Sequence, residues 1–179
     1  SLKDMYGPQY GYKTSVSDLM VNHLKKKFNW IKKLKILKKK PNILDIGSND
    51  GTFLNFFAKY DKRINLIGMD PSANAFSGSY NKKIKVVVDF FRNQSVRKYL
   101  KDTKFSVITS FAMFYDVEDP NEFCKNISKV LEKNGIWILE FSYFPLLLKN
   151  LTYDQICHEH VTYYTLNTFN KILNRNNLK

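Results

Sequence analysis

The sequence predicts an α/β domain in which helices cover both faces of a mostly parallel sheet. Three observations predict it. From Pro41 onward, short and continuously apolar runs alternate with amphipathic segments; the first run ends in a glycine-rich loop that leads straight into a helical segment; and an acid stands at or near the end of each of the first three runs. Runs that are apolar throughout mark strands buried on both sides, as βαβ units produce.

The elements follow in order. In "SVSDLMVNHLKKKFNWIKKLKILKKK", Met20, Leu24, Phe28, Ile31, Leu34 and Leu37 recur at steps of three and four, one apolar stripe on a helix. Ser17 is its expected N-cap, Pro41 its stop, and the lysines fill its outer face. Ahead of it, "DMYGPQYGYKT" carries turn residues and three tyrosines. After Pro41 come the strand "NILDI", the helix "GTFLNFFAKY", the strand "INLIGM" and the short helix "PSANAFSGSY". The strand "IKVVVDFF", the helix "NQSVRKYLK", the strand "FSVITSFAMF", the helix "DPNEFCKNISKVLEK" and the strand "GIWILEF" complete the alternation. Residues 1–41 are expected to form a loop and an amphipathic helix packing on the sheet, and residues 42–179 the core, in one domain overall.

Composition bounds the function. The net charge of +13 invites a nucleic-acid partner, yet of 29 basic residues only Arg63, Arg92, Arg97 and Arg175 are arginine. Phosphate and base recognition favours the planar arginine fork, so a solvated lysine surface is the expectation and no nucleic acid is expected as partner. No apolar run approaches the roughly 18 residues of a membrane-spanning helix, and no membrane partner is expected. Cys124 and Cys157 lack the spacing of a metal or redox pair and read as reduced thiols of a cytoplasmic protein.

The loop "DIGSNDG" carries the binding chemistry. Gly47 and Gly51 let the backbone turn tightly and approach a ligand beyond the carboxyl end of the first strand. Asp70 follows Gly51 by roughly the 20 residues expected of an acid that bonds ribose hydroxyls. Asp89, with Phe90 beside it, could frame an adenine edge. Dinucleotides and S-adenosylmethionine both fit this layout. Asn49 replaces the middle glycine of the dinucleotide fingerprint, and Asp45 and Asp50 put negative charge where a pyrophosphate would lie. A sulfonium cofactor tolerates those acids, and Asp45 can face its ammonium group, so the electrostatic sign favours S-adenosylmethionine, with S-adenosylhomocysteine (SAH) as product.

"NILDIGSNDGTFLNFF", "GMDPSANA" and "VDFF" resemble the first three motifs of the Rossmann-like class I S-adenosylmethionine-dependent methyltransferases. The resemblance adds Ser48, Asn49, Pro71 and Ser110 to the cofactor-binding residues. "MFYDVEDPNEFCKNISKVLEKNGIWILE", "YDQICHEHVTYY" and "YGYKTSVSDLMVNHL" narrow it to the C-methyltransferases of nucleotide-linked keto-sugars. It implies a nucleotide-sugar as the small-molecule partner, and a longer protein: family members carry a zinc-binding cysteine region upstream and further strands downstream, so this chain is expected to be a fragment lacking the last strands. Methylation of nucleic acid or of another small molecule is the alternative activity.

The triplet His158-Glu159-His160 admits three readings: a metal site, a polar structural loop, or acid/base chemistry. The histidines lack a third ligand at a recognisable spacing, so no metal site is expected. A carbon beside a ketone becomes a nucleophile once its proton is removed, and histidine suits that step. The resemblance implies His160 as the base, with Glu159 and His158 beside it and Tyr12 contacting substrate. The chain departs from the family pattern where Cys157 replaces a tyrosine and Tyr115-Asp116 replaces a histidine near the end of strand four. No proline-cysteine motif of cytosine methylation and no N-P-P-Y segment of adenine methylation is present.

Overall fold

The computed structural model describes residues 2–7, 9–38 and 40–179, without the side chains of 2, 3 and 38. Pro8, one of the turn residues of the opening segment, lies outside the described residues. Among the described residues, five strands form one parallel sheet: β1 (Asn42–Ile46), β2 (Asn65–Met69), β3 (Ile84–Val87), β4 (Phe105–Phe111) and β5 (Leu131–Glu140). Their order is β3-β2-β1-β4-β5, every neighbouring pair parallel. The chain starts in the middle, winds outward through β2 and β3, then crosses back to β4 on the other side of β1. That reversal opens a crevice beyond the carboxyl ends of β1 and β4.

Side chains alternate along each strand and supply a core on both faces. Ile43, Leu66 and Val107 pack with Leu24, Phe28 and Ile31 of α1 (Asp18–Ile31) and with Phe53, Leu54 and Phe57 of α2 (Thr52–Tyr60). Leu44, Ile46 and Ile108 pack on the opposite face. Their partners are Phe123, Ile127 and Val130 of α3 (Pro120–Val130), and Phe169 and Ile172 of a C-terminal helix. Phe57 is fully buried, and the Phe28 ring meets it edge-on, 4.9 Å away at 87°. Burial of each such side chain stabilises the fold by about 1.5–3 kcal/mol.

Caps behave as their chemistry dictates. Ser17 Oγ accepts the Met20 amide at 3.3 Å at the start of α1, and the Asp119 carboxylate accepts the Glu122 amide at 2.9 Å at the start of α3. Several elements differ from the sequence expectation, among them β4, which ends at Phe111 rather than running on through Phe114. The first helix ends at Ile31, and a 3₁₀ turn over Lys35–Lys38 follows. Lys32, Lys35 and Lys38 would stack like charges at three-residue steps if the helix went on. Leu34 and Leu37 still pack against the α1–α2 side of the core. "PSANAFSGSY" forms 3₁₀ turns over Ala73–Ser79, and "NQSVRKYLK" one α-turn and a π-turn ending at Leu100. β3 stops at Val87, because Asp89 turns the chain by accepting the Phe90 amide and the Ser95 hydroxyl. Leu131, expected in the helix, begins β5.

Beyond β5 the sequence reading gave no elements. The structure has α4 (Phe144–Asn150) and α5 (Leu166–Arg175) there, the latter capped by Thr165 Oγ1 accepting the Thr168 amide at 3.1 Å. Between them, residues 151–165 are irregular apart from a 3₁₀ turn over Tyr153–Gln155 and an isolated parallel bridge from Tyr164 to Tyr143.

Candidate functional site

The loop from β1 to α2 is held from three sides. Gly47 and Gly51 have φ of 74° and 75°, left-handed conformations that cost a residue with a Cβ about 1–2 kcal/mol. At Gly51 a Cβ would also lie 2.4 Å from the Tyr80 ring. Tyr80 donates its hydroxyl to the Asn49 carbonyl at 2.6 Å and bonds Ser48 Oγ at 2.8 Å. From the N-terminal side, Thr14 donates its amide (2.9 Å) and hydroxyl (3.1 Å) to Asn49 Oδ1. The Ser15 amide donates to Asp50 at 2.9 Å. Asp70, at the end of β2, accepts the Asn49 amide at 2.8 Å through one oxygen and the Ser72 amide and hydroxyl at 2.7 and 2.6 Å through the other.

These elements wall a cavity of about 760 Å³, within the range of small-molecule sites. Asp45, Gly47, Ser48, Asn49, Asp70, Pro71, Asp89, Phe90 and Tyr12 line it. Among the described lining residues Arg92 is the sole basic one, whereas Asp45, Asp50, Asp70, Asp89, Asp116, Glu118, Asp119 and Glu122 are acidic. A chain of net charge +13 thus turns an acidic interior toward its ligand. Asp45 is buried, its Oδ1 accepts the Thr109 hydroxyl at 2.6 Å, and it makes no ion pair among the described residues. Burial pushes its carboxyl up to about 7; the Thr109 bond opposes the rise and the charge of Asp70 adds to it. Burial acts on Asp50 too, but the Ser15 and Thr52 donors outweigh it and leave that carboxyl below its ordinary value.

Two predicted residues stand behind the wall. Gly51 serves as the left-handed N-cap of α2. Ser110 is fully buried and its Oγ accepts the Trp137 indole N–H at 2.9 Å, so its side chain is engaged inside the layer between sheet and helices, away from the cavity lining. The sequence reading expected Ser110 as a cofactor contact; its side chain is not part of the cavity lining.

His158, Glu159 and His160 are not among the described residues that line the cavity; the segment that carries them packs beside the lining residue Asp116, through Tyr115. Thr162 donates its amide to the Tyr115 carbonyl at 3.1 Å, which ties the segment to the turn after β4. His160 packs on the Tyr115 ring with centroids 4.2 Å apart, and its Nδ1 lies 2.7 Å from the Gln155 carbonyl oxygen. A carbonyl only accepts, so Nδ1 carries the proton, and in the neutral ring Nε2 keeps its lone pair. The negative charge of Glu159 acts on Tyr6, Tyr10 and Asp116, all lining residues, whereas His158 is exposed. Among the described residues no three His, Cys, Asp or Glu side chains are grouped to hold a metal ion.

Sequence reasoning missed Tyr80, Tyr6 and Asp116. The segment "MFYD" was in view only as a departure from a motif; Tyr80 gave no signal, since its partners lie 31 and 32 residues away. It also missed the third histidine, His23, which meets Glu140 at the end of β5 at 2.9 Å, with Lys27 on the other oxygen at 2.6 Å.

Residues 22–179 match the family model described as a methyltransferase domain. The chain belongs to the methyltransferase domain family. This methyltransferase domain is 23% identical over 164 residues, 91% of its length, to the C-methyltransferase NovU of Streptomyces niveus, and spans 39% of that relative. The plantazolicin methyltransferase BpumL, solved with a pentazolic desmethylPZN analog and SAH, shares its fold at a TM-score of 0.62 and 18% identity, over 86% of this chain and 68% of that one. So does the protein solved in complex with the Haloferax volcanii Trm112 methyltransferase activator, at a TM-score of 0.64 and 15% identity over 89% and 72% of the two chains. No helix among the described residues is long and apolar enough to cross a membrane.

Proposed function

We propose that this methyltransferase binds S-adenosylmethionine in the cavity and methylates a carbon beside the ketone of a nucleotide-linked sugar, with His160 as the base, in the reducing cytoplasm. The residues fit the cofactor. Asp45 is a buried acid with no cation beside it among the described residues, a match for the ligand's ammonium group. Asp70 would hold the ribose hydroxyls and Asp89 with Phe90 would frame the adenine, and all three line the cavity. When bound, S-adenosylmethionine supplies an electrophilic methyl group. The chain's own task is to shape the cavity and to move one proton: it leaves the carbon next to the ketone for Nε2 of His160, and the electron pair of that C–H bond becomes the nucleophile. Glu159 is a polar partner for the substrate or the base, and Tyr12 a substrate contact.

The observation that supports this function is the 2.7 Å approach of His160 Nδ1 to the Gln155 carbonyl, which favours the tautomer with a free Nε2 lone pair, on a ring packed against Tyr115, next in the chain to the lining residue Asp116. The NovU likeness favours carbon as the acceptor, and the unpaired thiols Cys124 and Cys157 fit a reducing setting. Calorimetric titration of the full-length protein with SAH tests the cofactor, and NMR of product made with ¹³C-methyl donor tests the acceptor. A carbon–carbon methyl signal on a keto-sugar nucleotide is the expected result; a methyl on oxygen or nitrogen overturns the assignment.

A further inference from the structure

Asp116 ends the 3₁₀ turn that follows β4 and lines the cavity. Its Oδ1 is buried and has no hydrogen-bond partner among the described residues. Buried carboxyl oxygens are nearly always partnered, so a bare one on a cavity wall marks a place for a ligand atom. The groups around it are specific. Tyr6 bonds the carboxyl, Glu159 and His160 bring charge from the segment above, and Tyr10 and Tyr115 stand close enough to feel its charge.

We propose that Asp116, as a neutral acid, donates a hydrogen bond from Oδ1 to the ketone oxygen of the substrate while His160 takes the proton from the neighbouring carbon. This rests on the keto-sugar function above. As the C–H bond breaks, its proton goes to Nε2 and its electron pair forms a carbon–carbon double bond, while the carbonyl pair moves onto oxygen. The Asp116 hydroxyl would donate its hydrogen bond to that growing charge. Burial pushes the Asp116 carboxyl up to about 6, Glu159 adds to the rise, and the Tyr6 bond and His160 oppose it.

Two measurements on the full-length protein with SAH bound test this. The first is the infrared difference between wild type and Asp116→Asn from pH 4.5 to 8. A protonated carboxyl band that disappears with a midpoint at about 6 or above is expected; a midpoint in the ordinary carboxylate range overturns the proposal. The second follows deuterium exchange beside the ketone of a dTDP-linked 4-keto-6-deoxyhexose. Wild-type exchange is expected to slow as pH rises above that midpoint. Asp116→Asn, whose amide donates at any pH, is expected to lose that fall, and Asp116→Ala to exchange about 10²-fold more slowly at pH 6. An unchanged fall in the Asn variant, or wild-type exchange in the Ala variant, overturns the role. Absence of exchange in the wild type itself sinks the keto-sugar function and this proposal with it, an outcome distinct from a failed infrared midpoint.

Discussion

Cofactor binding should depend on pH through Asp45. The carboxyl is buried against Thr109 and its pKa stands at about 7, so below that value the ligand-free protein carries a proton there. The ammonium group of the cofactor favours the ionised form, and binding must therefore expel that proton. The sign follows: affinity is full above about pH 7 and falls as pH drops through it. For a group with a pKa of about 7 in the free protein that is ionised in the complex, the loss between pH 7.5 and pH 6 is roughly eightfold, about 1.3 kcal/mol. The ligand's own amine is mostly charged over this window. Isothermal calorimetry with SAH at both pH values, in two buffers of different ionisation enthalpy, reads affinity and proton release together. Close to one proton should leave per ligand at pH 6, and Asp45→Asn should bind more weakly with no such dependence. Flat affinity and no proton release in the wild type would refute the placement of the ammonium group against Asp45. The same raised pKa acts on folding in the other direction: its contribution to stability is present at low pH and lost as pH rises through about 7, so without ligand the Asn variant should melt higher than wild type at pH 8.

Gly51→Ala should lose at least about 2 kcal/mol of stability, combining left-handed strain with displacement of the Tyr80 ring, and thermal melts with and without SAH should show the loss in both states. Asp70→Asn should lower both the melting temperature and SAH affinity, each by about 1–3 kcal/mol, because its carboxylate holds the Asn49 and Ser72 donors and is proposed to hold the ribose; an unchanged melting temperature would mean the loop does not depend on it. Gel shifts with duplex DNA and with RNA should show weak, sequence-independent retention that vanishes as salt rises, since the acidic cavity repels a polyanion; salt-resistant binding would reopen the nucleic-acid alternative.

The five strands were legible because parallel strands buried on both faces leave unbroken apolar runs, and Gly47, Gly51, Asp45 and Asp70 were legible because a crossover loop has a local signature. What escaped is what long-range contact decides. The end of β3 depends on Asp89 bonding Ser95, and the clasp on the loop depends on Thr14 meeting Asn49 across 35 residues. The buried Oδ1 of Asp116 depends on how the N-terminal tyrosines fold over it. Ser110 read as a ligand contact from its place in a motif, while its hydroxyl turns toward Trp137, 27 residues on. α5 did have a local signature, Phe169, Ile172 and Leu173 behind a threonine cap, and could have been found.

The central claim is that His160 removes the proton that makes a carbon nucleophile. The direct measurement is deuterium wash-in at the carbon beside the ketone, in the full-length protein with keto-sugar nucleotide bound and SAH in place of the methyl donor. The wild type should exchange; His160→Asn should exchange about 10²–10⁴-fold more slowly with SAH affinity nearly unchanged, and His158→Ala, altered at an exposed position, should exchange much as the wild type does. Exchange at the wild-type rate in His160→Asn would contradict the claim and move the proton to Glu159 or Tyr12.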